Sequence, residues 1–368
     1  MRSIAISVCG VAVLVAGLWA GGDSANSKNP PGDGVGTAVG NGAKWLASVQ
    51  GHDGGWGQDG GETSYVRQGE RLESNGNDVA NTAVAALALR RAGKQYRPAV
   101  DRAVDFVLRN VEGSPQEGLV VTQVSGTQIQ RKLGPYIDTF VTSMLLSEID
   151  GNMPTSTENA RVRKALEKCV AKIERNQQKD GSWNIAGGWA PILGTSMASR
   201  SLFVAQQKGV RVADAVMARA DGYTKESLAA GGAGGGGTTR MAMATPAAAG
   251  VPLYQSAQAL EQLSRTEKDR KANAPQIAAI KNQLANGKFV DGFGSMGGEE
   301  FFSYLNISDS LRRTGGEEWD KWHAQITARI LKLQNEDGTW SGHHCITGRV
   351  ATTSAAILNL TVEQGSKN

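Results

Sequence analysis

The sequence predicts an all-α protein built from six helical hairpins, each pairing an outer with an inner helix, and three observations predict it. The pattern Q-x-x-D-G-x-W occurs three times along the chain. Apolar residues at helical spacing precede it. Segments rich in Ala, Ser and Thr, ending near glycine, follow it.

The first motif is Gln50, Asp53, Gly54 and Trp56; the second is Gln177, Asp180, Gly181 and Trp183; the third is Gln334, Asp337, Gly338 and Trp340. Asp-Gly supplies a tight turn with positive φ available at the glycine, and Gln and Asp can satisfy backbone groups freed at a helix end. The tryptophan is then expected to pack back over that end, which makes these nine polar and aromatic positions structural. The helix that feeds each turn is visible as a stripe. Val162, Leu166, Cys169, Val170 and Ile173 precede the second motif, and Trp319, Trp322, Ile326, Ile330 and Leu333 the third. Where the motif itself has decayed, Val100, Ala103, Val104, Val107 and Leu108 keep the spacing.

The second helix of each hairpin has a different character. The segments 81–92, 138–149, 194–207, 253–264, 300–313 and 351–364 carry small residues on all sides, as suits a helix surrounded by others. These are assigned as inner helices and the charged, amphipathic ones as the outer layer. The repeat is roughly 50 to 60 residues, one hairpin per unit. The fourth hairpin is the weakest, since 212–228 has poor periodicity and precedes the glycine run 231–237. A phosphate-cradling loop would close on a Lys and a Ser or Thr at defined spacing, whereas Thr238-Thr239-Arg240 follows here, and the run reads as a flexible connection.

The chain begins with Arg2 and an apolar stretch from Ile4 to Trp19, the pattern of a secretory signal over residues 1–20. An exported protein is expected; the alternative is a membrane anchor formed by the same segment. Residues 21–41, rich in Gly, Asn, Ser and Pro, read as a flexible linker, and 42–365 as the folded domain. The 39 basic and 35 acidic residues leave a formal charge of +4 with no basic run, so nucleic acid is not an expected partner. Cys169 and Cys345 lie far apart and form neither a disulfide framework nor a metal or redox pair.

Taken together, the Q-x-x-D-G-x-W turns between outer and inner helices resemble the repeats of squalene cyclases and protein prenyltransferase β-subunits. The resemblance implies an (α/α)6 toroid, a closed ring of six hairpins around a central cavity. Fold does not carry function across, so the family's chemistry has to be sought at each position. The Asp-x-Asp-Asp acid of squalene-hopene-type cyclases does not occur in this sequence. The segment 307–311, Ile-Ser-Asp-Ser-Leu, distantly echoes the oxidosqualene-type acid motif and makes Asp309 the candidate catalytic acid; a local or Arg-paired carboxylate is the competing reading. Polycyclisation also needs aromatic walls, and with 6% aromatic residues the inner helices before the fifth offer little beyond Phe140, Phe203 and Tyr254.

The zinc positions implied by the prenyltransferase resemblance fall at Asn306, Ser308 and near Arg349, which are poor ligands, so no cofactor is expected and zinc is not. The weak metal candidates are His344 and Cys345. Other chemistries find no firmer motif: neither Glu299-Glu300 nor Glu317-Glu318 is diagnostic of sugar cleavage. The N-terminal ends of the inner helices are expected at one mouth of the ring, made electropositive by their dipoles, with Arg349, His343 and His344 as candidate ligand-binding residues for an anionic or strongly polar group. The function expected is an exported binding or scaffolding module of cyclase and prenyltransferase ancestry. Its expected partners are a small molecule in the central cavity, anionic or lipid, and a cell-envelope protein. The alternative is an isoprenoid- or lipid-transforming enzyme with Asp309 as acid, and the third a carbohydrate lyase or hydrolase.

Overall fold

The computed structural model describes residues 31–58, 65–67, 70–72, 76–185, 191–232, 251–291, 297–343 and 346–363. The signal segment, residues 21–30 of the expected linker, residues 233–237, His344 and Cys345 lie outside the described residues. The first hairpin runs from α1 (Pro31–Ser48) through an antiparallel ribbon, β1 (Tyr65–Arg67) and β2 (Glu70–Leu72), to α2 (Val79–Ala92). In the ribbon Tyr65 pairs with Leu72 and Arg67 with Glu70, a small addition to the all-α expectation. The second hairpin is α3 (Arg97–Gly113), the short α4 (Gln128–Leu133) and α5 (Ile137–Ile149). The third is α6 (Ser156–Arg175) and α7 (Pro191–Gln207), and the fourth α8 (Asp214–Gly232) and α9 (Val251–Leu263). In the fifth the outer element is broken into α10 (Glu267–Ala272), α11 (Ala274–Leu284) and α12 (Gly287–Val290), followed by α13 (Gly298–Thr314). The sixth is α14 (Glu317–Lys332) and α15 (Arg349–Leu360).

The inner helices close on themselves. Helix α2 packs on α5, α5 on α7, α7 on α9, α9 on α13, α13 on α15, and α15 back on α2. Their composition explains the arrangement: every residue from Val79 to Leu89 of α2 is buried, as a helix must be when neighbours and an outer layer cover all its faces. The outer helices bury one stripe. In α3 it contains Val100, Ala103, Val104, Val107 and Leu108, and in α6 Val162, Leu166, Cys169, Val170 and Ile173. Burial pushes the Cys169 thiol up to about 12, so it is an inert core group. Caps fix the starts of several helices, as where Thr155 and Glu158 form a reciprocal box at α6.

One expectation is corrected. The flexible linker expected over residues 21–41 ends sooner, because α1 begins at Pro31 and buries Ala38, Val39, Ala43 and Leu46. Its glycines hide the periodicity in the sequence, and at Gly42 the small residue is needed because a Cβ would stand 2.9 Å from the Trp340 ring.

The three turns fasten the outer layer in one way. The indole Nε1 of Trp56 donates to Leu46 O (2.8 Å), that of Trp183 to Ile173 O (2.7 Å) and that of Trp340 to Ile330 O (2.8 Å), tying each turn to the helix that enters it. The backbone N–H of each tryptophan donates to a threonine on the inner helix, Thr82, Thr195 or Thr353. The glutamine amide then bridges to the next outer helix. Gln50 donates to Ala99 O (2.9 Å), Gln177 to Val216 O (2.9 Å) and Gln334 to Ala38 O (2.9 Å), so the third clasp joins the last hairpin to the first. After the second outer helix, where no such motif stands, lysines of α6 replace it: Lys168 Nζ donates to Val111 and Ser114 carbonyls, and buried Lys172 to Gly118 O (3.0 Å) and Val120 O (3.2 Å).

Candidate functional site

The starts of the inner helices gather at one end of the ring. Ala80 N of α2 donates to Asp138 Oδ1 of α5 (3.0 Å), Tyr254 Oη of α9 to Glu300 Oε1 of α13 (2.8 Å), and Gly298 N of α13 to Ile346 O just before α15 (3.0 Å). Connecting segments meet over this end through buried amides. Gln128 N donates to Gln58 Oε1 (2.5 Å), and Thr347 N and Gly348 N both donate to Gln128 Oε1.

Four carboxyl groups, Asp78, Asp138, Glu299 and Glu300, are buried there. Asp78 caps α2 by accepting from Asn81 N (2.8 Å), and Glu300 accepts from Gly297 N (2.8 Å) at the start of α13. The helix dipoles that were expected to attract an external anion are thus met by the protein's own acids. Burial raises Asp78 to about 7, with the neighbouring Asp138 adding to it, and burial raises Asp138 to about 6 against the hydrogen bond from Gln130.

Of the ligand residues expected at this mouth, Arg349 and His343 are among the described residues. Arg349 Nη1 pairs with Asp337 of the third turn (3.1 Å), and its guanidinium stacks 5.0 Å from the centre of the Trp45 ring. It therefore braces the seam between the last hairpin and α1. His343 is exposed on the loop before α15, and His344 and Cys345 lie outside the described residues. Among the described residues no group of three or more His, Cys, Asp or Glu side chains could hold a metal ion.

Asp309 lies toward the opposite end, and its surroundings are charged. Its carboxylate pairs with Arg200 of α7, a helix that does not neighbour α13 in the ring order, so the Arg200 side chain reaches past α9. Arg200 also donates to Asn306 Oδ1. Beside them Glu261 is held by Arg265 Nη2 (2.8 Å) and lies 3.8 Å from Arg313, while Arg91 pairs with Glu148 (2.5 Å). Burial works to raise the Glu261 carboxyl, but Arg265, Arg313 and Arg200 outweigh it and hold it down at about 2. Phe203, one of the few inner aromatics, has the Arg265 guanidinium 5.0 Å from its ring centre. The zinc-equivalent positions are likewise occupied, since Ser308 Oγ accepts from Trp322 Nε1 (2.9 Å).

The inner helices bury polar atoms as well as apolar ones. Each of the six inner helices carries a buried side-chain atom with no hydrogen-bond partner among the described residues: Asn81 Oδ1, Thr142 Oγ1, Ser196 Oγ, Gln258 Oε1, Ser303 Oγ and Asn359 Oδ1. Buried polar groups are ordinarily satisfied, so this interior requires water or a polar ligand. On the outer wall a groove of ≈ 380 Å³ lies between α11 and α14, floored by Leu311 and Trp322. Its rim charges are matched within the protein, Lys281 with Glu318 and Lys321 with Glu317.

Residues 27–125, which contain the first turn and helices α1 to α3, match the squalene-hopene cyclase C-terminal domain family. A segment of 66 residues is 42% identical to a squalene–hopene cyclase of Bradyrhizobium diazoefficiens, covering 18% of this chain and 10% of that protein. Both matches are similarities of a part of the chain to squalene cyclases. The chain's matched segment spans only a tenth of that squalene cyclase relative. Among solved structures, the type II terpene cyclase MstE from Scytonema, bound to geranylgeranyl dihydroxybenzoate, has a TM-score of 0.46 and 12% identity, with 91% of this chain and 98% of that chain covered.

Sequence reasoning singled out Asp309 but not its partners. The Glu261 and Arg265 pair was legible as a helical i,i+4 spacing. Arg200 was not, because it is 109 residues from Asp309 and only ring closure brings the two together. Asp78 stands where a helix N-cap is expected, so it too was legible.

Proposed function

We propose that the protein is an exported binding or scaffolding toroid of squalene cyclase ancestry that holds a polar small molecule and does not cyclise an isoprenoid. The observation that carries this reading is the pairing of Asp309 with Arg200 inside a ring whose six inner helices all present unsatisfied polar atoms. An acid that protonates an alkene must be free to face it, and the Asp309 carboxyl is instead engaged by Arg200. A travelling carbocation needs aromatic faces and the exclusion of water, and hydroxyl and amide groups oppose both.

Incubation of the purified protein with squalene and with a geranylgeranyl-bearing substrate, followed by mass spectrometry of the extract, tests the proposal. No cyclised product is expected. A cyclic product that disappears in Asp309→Asn would replace the reading with an enzymatic one. That second reading has one observation in its favour: buried Asp78 and Asp138, raised to about 7 and about 6, are carboxyl groups able to hold a proton near neutrality. Loss of product in Asp138→Asn but not in Asp309→Asn would assign the acid to that end of the ring.

A further inference from the structure

The charges around Asp309 do not balance, and the excess is guanidinium. Arg90, Arg91, Arg200, Arg265 and Arg313 are drawn together from α2, α7, α9 and α13. The carboxylates among them are Glu148, Glu261 and Asp309, with Asp221 of α8 acting on Arg265 from outside. The field of Asp309 acts on Arg91 and Arg313, and among the described residues it is Arg200 that is bonded to it. Part of the excess answers the negative ends of α2, α9 and α13, whose last turns hold Arg90, Arg91 and Arg313 or precede Arg265. Arg200 has no such duty, because it lies within α7 and reaches toward α13.

Donors are left over in the same cluster. Arg91 Nε, Arg313 Nε and Asn306 Nδ2 are buried and have no hydrogen-bond partner among the described residues. Asn306 is 2% exposed, and its amide oxygen is already taken by Arg200, so the side chain is fixed with its amide nitrogen unused. An arrangement of surplus guanidinium and unused N–H groups beside the Asp309 carboxylate is complementary to an oxyanion, which accepts several hydrogen bonds at once. Neutral polyols match it poorly, since they would leave the positive excess in place.

We propose that the end of the ring bearing Asp309 is an oxyanion-binding site, formed by Arg91, Arg200, Arg313 and Asn306, for the phosphate or carboxylate head of a small molecule. This deepens the binding-module reading and rests on it. Asp309 is then the group that spaces the arginines and competes with the ligand. The anion site is accordingly at the opposite end from Arg349.

Calorimetric titration with inorganic phosphate and with acetate, at ionic strength held constant by chloride, tests the site on the full exported chain. Saturable binding of one anion is expected. Arg313→Gln should weaken it about tenfold or more, the scale of a lost charge-assisted hydrogen bond, and Asp309→Asn should tighten it by removing the competing charge. Arg175→Gln, on the outer helix α6, should leave it unchanged. Melting curves of each variant confirm folding, and the Asp309→Asn prediction stands even if Arg313→Gln fails to fold. Sedimentation with phosphatidylcholine vesicles containing phosphatidate separates the sources: vesicle binding lost in Arg313→Gln assigns a lipid head, and phosphate binding without it a free ligand. No binding to any of these probes, or equal affinity in wild type and Asp309→Asn, overturns the proposal. Such a result without cyclised product leaves the module reading standing, whereas a cyclised product removes that reading whatever anion binds.

Discussion

Gly54→Ala measures how tightly the turn approaches the following outer helix. Gly54 has φ 92°, and a Cβ there would stand 2.5 Å from Arg102 O and 2.9 Å from Arg102 C, backbone atoms of α3 that cannot rotate away. The left-handed conformation alone costs a non-glycine residue about 1–2 kcal/mol, and restricting the unfolded chain returns about 0.4–1 kcal/mol. Relieving the overlap requires α3 to move outward, which costs about 1–3 kcal/mol as overpacking. The same movement stretches the Gln50 bond to Ala99 O, worth about 0.5–1.5 kcal/mol. Gly151 is the matched control: its φ is 81° and an added Cβ would meet nothing within 4 Å. Urea unfolding of Gly54→Ala should therefore show a loss of about 2–5 kcal/mol at unchanged m, against about 1 kcal/mol for Gly151→Ala. Equal losses in the two variants would refute the claim that the turn is clamped against α3.

Trp340→Ala should lower stability by about 3–5 kcal/mol, since the side chain is fully buried, and Trp340→Phe by about 1–2 kcal/mol, since it mainly deletes the Nε1 bond to Ile330; chemical denaturation resolves the two. Asp78 and Asp138 hold protons in the fold at pH values where the unfolded chain has released them, so their contribution is complete below the ordinary aspartate range and is lost as pH rises through about 6 and about 7. The melting temperature should fall as pH rises from about 4 to about 7, and Asp138→Asn should flatten the fall; an unchanged slope would exclude the pair as its cause. Glu261, held at about 2, acts in the other sense, its contribution being present above the ordinary glutamate range and lost only as pH falls toward about 2. Elemental analysis of protein purified without chelators should find no stoichiometric zinc, because Asn306 and Ser308 are engaged by Arg200 and Trp322; about one zinc per chain, lost on replacing His344 and Cys345, would revive the transferase alternative.

The sequence by itself determined the hairpin repeat, because Q-x-x-D-G-x-W encodes a local event: a helix end, a positive-φ glycine and an indole folding back within about ten residues. Gln50, Trp56, Gln177, Trp183, Gln334 and Trp340 occupy equivalent places for that reason, and the all-sided small residues of the inner helices follow from their crowding. The start of α1 was hidden by Gly34, Gly36, Gly40 and Gly42, whose low helix propensity is overridden by packing against the last hairpin. What only the tertiary structure decided is the electrostatics of the two ends. Asp309 carries the same side chain whether it stands in an apolar pocket or beside a guanidinium, and Arg200 reaches it only once α7, α9 and α13 take their places in the ring. Arg349 likewise meets Asp337 and Trp45, not an open mouth, because ring closure seats the sixth hairpin against α1. Helical periodicity is written over a few turns of chain, whereas charge pairing across a ring depends on distances between residues a hundred or more positions apart.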